Sequence, residues 1–377
     1  MMTTRLLVML GMAVGGVWAS PAEEKLIQSL LANYESSSRP VTRTGESLTI
    51  NVSFVPIKLD VVDVDDNRLM LHGWVKLSWK DVQLKWNASD HDEITILNLP
   101  IETLWKPDLR LYNAYELSVE NTLTLVSSDG TVLWVPPLSG EVTCNLSAIW
   151  FPFDIQRCTL VFGSWTYDKT KIDLQVGTDL DNDVFMQNSE WKLISTESER
   201  REKKYVCCEN AYPSVQVTLT IQRKACRHVV ERVVPLIAVV TLALLTMMIP
   251  ATKADIRLLI VTLLLGSALV HLRSSDESVP ENLSILTVLN GLFIAILSGL
   301  FLCNCTHLAI LRGHMDCSFL AKLTGLVGAD GTAGEKSEAL ISDVEQRYHR
   351  TLDSVFTVPL AFVATLSTVL FFSVPLF

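Results

Sequence analysis

Five aromatic side chains, Tyr112, Trp165, Tyr205, Tyr212 and Trp74, carry the most specific chemistry in this sequence. A quaternary ammonium ion donates no hydrogen bond. It is held instead by the negative faces of electron-rich rings, of which Trp is the best, at about 2 kcal/mol or more once desolvated. Tyr205-Val206-Cys207-Cys208 and Tyr212-Pro213 place two of these rings on either side of a doubled cysteine. Trp165 lies in Gly163-Ser164-Trp165-Thr166-Tyr167-Asp168, and Tyr112 follows Trp105-Lys106-Pro107-Asp108. Tryptophans in β-rich chains mostly fill the core, and Trp79, Trp86, Trp105 and Trp191 are read that way. The ligand class selected is a small cationic amine. No Gly-rich phosphate loop, nucleophile–base pair or metal-ligand cluster stands beside it, so no enzyme, cofactor or metal is expected. Cys303 and Cys305, near His307 and His314, lack metal-ligand spacing.

The elements that must position these rings follow from hydropathy and alternation. Residues 1–19 read as a signal peptide, with Arg5, an apolar stretch from Leu6 to Trp18, and Val17 and Ala19 before the cleavage point. Apolar runs at 229–249, 257–272, 283–303 and 355–377 are each close to the roughly 20 residues a bilayer crossing needs. Residues 20–224 are then extracellular, 225–303 hold three crossings, 304–354 form a short cytoplasmic loop and 355–377 the fourth crossing. Both termini lie outside. Between residues 20 and 225, 29 Asp and Glu face 20 Lys and Arg, so nine of the chain's ten excess negative charges are external. That balance concentrates cations or serves solubility, and it excludes nucleic acid as a partner. Sequons at Asn51, Asn87, Asn145 and Asn282 fall on the outside.

Segments such as LTINVSFVPIKLDVVDV, NRLMLHGWVKLSW and SVQVTLTIQR alternate apolar and polar residues between turn signals, after a short helix over 23–36. Many short strands uninterrupted by helices predict a β-sandwich. The fold class is therefore mixed, an all-β extracellular domain followed by a four-helix α membrane domain. Cys144, Cys158, Cys207 and Cys208 sit where they can be oxidised, and Cys226, Cys303, Cys305 and Cys317 are expected as thiols. Phe151 and Phe153 around Pro152 make a stiff apolar tip, too short for a core, suited to pressing on another surface.

The thirteen residues NLSAIWFPFDIQR between Cys144 and Cys158, with Phe151-Pro152-Phe153-Asp154 inside, resemble the signature loop of the Cys-loop receptors, the pentameric neurotransmitter-gated channels. Tyr205 to Pro213 resembles the ligand-capping loop of nicotinic acetylcholine receptor alpha subunits, and the Tyr112 and Trp165 motifs look like the family's other binding loops. Gly73-Trp74-Val75-Lys76 looks like the segment a neighbouring subunit contributes. The resemblance implies disulfides Cys144–Cys158 and Cys207–Cys208, identical or homologous subunits in a pentamer, and a complementary face including Leu125, Leu133 and Val135. A Cys144–Cys158 staple would contribute about 3 kcal/mol by loop closure. Nicotinic alpha subunits carry a lysine four residues before the binding tryptophan and an aspartate two after the last tyrosine; this chain has Val161 and Ser214 there.

Aligned on Pro250, the resemblance makes 256–273 the pore helix, with Asp255, Leu258, Thr262, Leu265, Leu269, Leu272 and Asp276 on its pore face, a spacing of three and four that keeps one helical face. Fivefold rings of Asp255 and Asp276 favour permeating cations, and the leucines form a constriction that gates by dewetting. Phe151, Pro152 and Phe153 would pass movement to Val279-Pro280, with Arg223 at the joint. The implied function is a cation channel of the plasma membrane, in contact with its lipids. The alternative is a membrane-anchored amine receptor or silent subunit, motivated by Val161, Ser214 and Leu258.

Overall fold

Alternating burial along the chain builds the outer domain. In Arg68–Lys85 every second residue from Leu69 to Leu77 is buried, so one face of the strand meets the core and the other meets water. The computed structural model describes residues 21–177, 184–273, 283–312 and 337–373. The signal segment 1–19, Asp276, Val279, Pro280, Asn282 and Cys317 lie outside the described residues.

Helix α1 (Pro21–Leu31) precedes twelve strands among the described residues. These are β1 (Leu48–Asp63), β2 (Arg68–Lys85), β3 (Ile96–Pro100), β4 (Leu109–Leu111), β5 (Ala114–Val119), β6 (Leu123–Ser127), β7 (Asp129–Trp134), β8 (Pro137–Thr143), β9 (Ile155–Ser164), β10 (Ile172–Val176), β11 (Trp191–Lys204) and β12 (Ala211–Arg223). An eight-stranded sheet runs β10-β1-β2-β7-β6-β3, with β8 joining β2 to β5, and a four-stranded sheet runs β11-β12-β9-β4. Phe54 of the first sheet meets Phe162 of the second at 5.8 Å between ring centroids, across a core that includes Ile50, Leu71, Leu160 and Val217. Trp79, Trp105 and Trp191 are buried, and Trp86, half-buried, donates its indole N–H to the Ile94 carbonyl at 2.7 Å.

Among the described residues, four helices are long and apolar enough to cross a membrane. They are α2 (Cys226–Met248), α3 (Ala254–Arg273), α4 (Ile285–Leu311) and the last part, Asp353–Ser373, of α5 (Ser337–Ser373). A wide turn at Val229–Val233 precedes Pro235, whose ring nitrogen has no hydrogen to give the helix ladder. One expected boundary differs. Helix α4 continues past residue 303 to Leu311, because Cys303, Asn304, His307 and Ile310 bury one continuous face. A helix from Glu335 to Leu352 feeding the last crossing is also expected from the sequence, and α5 runs as one helix from Ser337 through that crossing.

The joint between domains is a buried ion pair. Arg223 Nε donates to Asp154 Oδ1 at 2.8 Å, and each side chain is 2 % exposed. Glu190 supplies a second carboxylate, and the guanidinium lies over Trp191 at 4.1 Å and Phe151 at 4.8 Å. Phe151, fully buried, belongs to the core of the helical domain with Val233 and Phe293. Phe153 meets Phe371 of α5 at 5.2 Å, and the Ile149 carbonyl accepts from the Ile285 N–H at 2.9 Å. The apolar tip read in the sequence thus presses on α2, α4 and α5.

Asp154→Ala should destabilise the chain by roughly 3 kcal/mol, the lower end of the cost of orphaning a buried charge, because Glu190 remains beside Arg223. Denaturant unfolding in detergent measures it. A second buried carboxyl gives a pH test. Tyr34 Oη donates to Asp81 Oδ2 at 2.7 Å, and burial, the largest cause, pushes the Asp81 pKa above its ordinary 3.8. A carboxyl that binds its proton more tightly when folded loses stability as pH rises from 3.8 through the folded value. Asp81→Asn keeps a partner for Tyr34 and should flatten that decline, so that the variant gains on wild type as pH rises to 7. Thermal unfolding between pH 4 and 7 checks it; parallel curves would refute it.

Candidate functional site

Tyr112, Trp165, Tyr205 and Tyr212 come from three parts of the four-stranded sheet, and local geometry explains how each is held. Tyr112 leaves β4 and lies across Gly163 of β9, where a Cβ would stand 2.3 Å from the ring. Only glycine lets the phenol sit there. Its Oη donates to the Ser164 carbonyl at 2.6 Å. The Trp165 turn is fixed by Asp108, whose carboxylate accepts from Ser164 Oγ at 2.5 Å, Thr166 N–H at 2.7 Å and Thr166 Oγ1 at 2.6 Å. Tyr205 and Tyr212 flank the β11–β12 hairpin, whose tip carries the Cys207–Cys208 disulfide and a bond from Cys208 N–H to the Tyr205 carbonyl at 3.2 Å.

The rings meet edge to face. Tyr112 and Trp165 are 6.2 Å apart at 70°, and Tyr205 and Tyr212 are 5.7 Å apart at 74°. Burial, followed by the neighbouring Tyr205, Asp108 and Tyr212, pushes the Tyr112 phenol up to about 12, so it stays neutral and electron-rich at ordinary pH. Trp165 remains 70 % exposed although its neighbours are partly covered. A large indole is thus presented to solvent on one wall, with no opposing wall among the described residues of its own chain. The arrangement can attract a cation through ring faces and hydrogen-bond through Tyr hydroxyls.

Trp74 stands apart, 41 % exposed on β2 in the other sheet. Leu133 pairs with Leu125 on β6 and with Ser78 on β2, and Leu125 and Val135 are exposed, so these residues share an outward apolar face with Trp74. The structure therefore separates the sequence-picked rings into two surfaces of one chain.

Three contributors escaped the sequence reading. Gly163 and Asp108 were visible only as members of motifs. Lys203 places its ammonium 5.0 Å from the Tyr205 ring centroid. It reaches the ring from β11, while Val161 of β9 pairs with Gln216 and Ser214 of β12 pairs with Gly163. Cys144–Cys158 is bonded, and Asn51, Asn87 and Asn145 are exposed.

On α3 the buried stripe is Ala254, Arg257, Val261 and Ala268. Asp255, Thr262 and Leu269 are exposed, whereas Leu258, Leu265 and Leu272 are half-covered, the last two against the helical core. At 100° per residue the stripe from Asp255 to Leu272 lies about 90° from the buried one. Cys303 and His307 of α4 and Asp353 of α5 bring their ligand atoms within 4.8 Å of one another, a grouping not foreseen because Asp353 is distant in sequence. Both Asp353 oxygens already face Arg257, at 3.0 and 3.3 Å, so the charge a dication would need is matched.

Residues 23–225 match the neurotransmitter-gated ion-channel ligand-binding domain family. The neuronal acetylcholine receptor subunit alpha-6 of Mus musculus is 32 % identical over 264 residues, 69 % of this chain and 53 % of the relative. The alpha-3 subunit of Bos taurus is 32 % identical over 281 residues, 74 % of this chain and 56 % of the relative. The acetylcholine receptor subunit alpha-type acr-16 of Caenorhabditis briggsae is 33 % identical over 264 residues, 69 % and 53 %. The chain spans about half the length of the curated relatives it matches. With the sandwich, both disulfides and four membrane-length helices in place, the chain belongs to the neurotransmitter-gated ion-channel family.

Proposed function

We propose that this chain is a subunit of a pentameric, neurotransmitter-gated cation channel of the plasma membrane that binds an acetylcholine-like amine between subunits. The observation that carries the reading is the division of aromatic residues. Tyr112, Trp165, Tyr205 and Tyr212 form one open wall under a disulfide-tipped hairpin, and Trp74 with Leu125, Leu133 and Val135 forms another on the opposite sheet. A head-to-tail ring of copies brings the first wall of one subunit against the second wall of the next. Amine binding draws the hairpin inward, and differential affinity shifts the closed–open equilibrium. Phe151, Pro152, Phe153 and Arg223 carry that shift to the helices, together with Val279-Pro280. Asp255 and Asp276 set cation selectivity, and Leu258, Leu265, Leu269 and Leu272 form the hydrophobic gate around Thr262. Glycans on Asn51, Asn87, Asn145 and Asn282 belong to the same extracellular reading.

The leucine-rich face supports a second reading, an amine receptor or silent subunit that conducts little. Acetylcholine binding and current measured together on the expressed chain decide between the two: saturable binding without current selects the second. Trp165→Ala should weaken acetylcholine binding by roughly thirtyfold, the equivalent of about 2 kcal/mol of ring–cation attraction, with Trp165→Phe losing less. Unchanged affinity in Trp165→Ala would remove the proposed cage. Leu258→Ser wets the apolar turn next to the proposed inner mouth and should raise the current per surface receptor severalfold; single-channel records identical to wild type would sink that assignment.

A further inference from the structure

Arg257 is fully buried in the first turns of α3, between Asp255 and Leu258 on neighbouring positions of the proposed pore face. An arginine inside a membrane bundle is costly unless its donors are matched. Here they are matched by two other parts of the chain. Nε donates to the Ile249 carbonyl at 2.6 Å and Nη2 to the Met247 carbonyl at 2.9 Å, at the end of α2. Nη1 and Nη2 donate to the two Asp353 oxygens of α5 at 3.0 and 3.3 Å. His307 of α4 lies 3.8 Å from the same carboxylate. One guanidinium thus ties the inner end of α3 to those of α2 and α5, with α4 beside the same carboxylate, and the planar fork fixes direction as well as distance.

We propose that Arg257 and Asp353 are positioning residues for the inner pore mouth, setting the rotation of the α3 turn that carries Asp255 and Leu258. The proposal rests on reading α3 as the pore helix. It makes the fourth crossing a control on the pore, because α5 runs unbroken from Ser337 to Ser373 and displacement of its first half is delivered directly to Asp353. An opening that rotates α3 must stretch or release this pair, and apolar packing in its place would hold the helix without specifying its angle, since dispersion contacts are non-directional.

The test uses the full chain in lipid nanodiscs. The Arg257→Met, Asp353→Leu double variant removes both charges together and should keep the wild-type thermal transition, because a buried ion pair is replaceable by apolar packing. Backbone hydrogen exchange in segment 250–262 should nevertheless become roughly tenfold faster, while segment 286–300 stays unchanged. The single variant Asp353→Asn should show the same local rise. In oocytes exposed to acetylcholine, the double variant should raise the ratio of unliganded to maximal current. Wild-type exchange at 250–262 in the double variant overturns the proposal. So does faster exchange with an unchanged current ratio, which would reduce the pair to packing. A wild-type chain that passes no current under any amine defeats the channel reading alone, and the exchange measurement then decides whether the pair positions α3.

Discussion

The structure depends on one ion pair at the boundary between water and lipid. The sandwich needs a polar surface, the helices need an apolar one, and the chain crosses from one to the other immediately after Arg223. A free guanidinium there would pull the last strand toward solvent. Paired with Asp154 and Glu190 and stacked on Trp191 and Phe151, it can be interred instead, which lets β12 run into α2 without a solvated gap. Asp154 is itself held by Gln156 Nε2 at 2.6 Å, and Gln156 exchanges bonds with the Ser147 backbone. The disulfide-closed loop, the last strand and the first helix are therefore one polar-cored unit with an apolar tip.

That unit explains why the aromatic wall is built as it is. Trp165, Tyr205 and Tyr212 stand on the same small sheet that ends in Arg223, and thirteen residue pairs of the β11–β12 ladder run between the hairpin and the joint. Only one bulge, between Leu193 and Ser195, interrupts it. The ladder has one end at the disulfide-tipped loop and the other in a buried ion pair, whereas the eight-stranded sheet is larger and branches at β2, which pairs with β1, β7 and β8.

Much of this was legible in the sequence where the signal is local. Strand alternation gave β2 and β12, because burial with period two is written directly in residue type, and length plus hydropathy gave the four helices. Phe151-Pro152-Phe153 could be read as an apolar tip because so short a stretch inside the Cys144–Cys158 loop has no core of its own. What stayed hidden is pairing between distant residues. Nothing near Arg257 announces Asp353, 96 positions away, and nothing near Tyr112 announces that Gly163 must lack a side chain. Lys203 reads as one of several charges on an exposed strand until the hairpin folds it toward Tyr205.

The two buried arginines, Arg223 and Arg257, sit at opposite ends of the helical domain. Each marks an end of the bundle, the first beside the outer end of α2 and the second at the inner end of α3, and each is anchored by a carboxylate from an element other than its own. Between them the contacts are almost entirely apolar, from Val233 and Leu236 through Val261 to Leu297 and Leu300. Apolar contacts resist separation but not sliding or rotation, since their energy follows buried area and not direction. Directional bonds thus sit at both ends of the bundle, with contacts between them whose energy follows buried area.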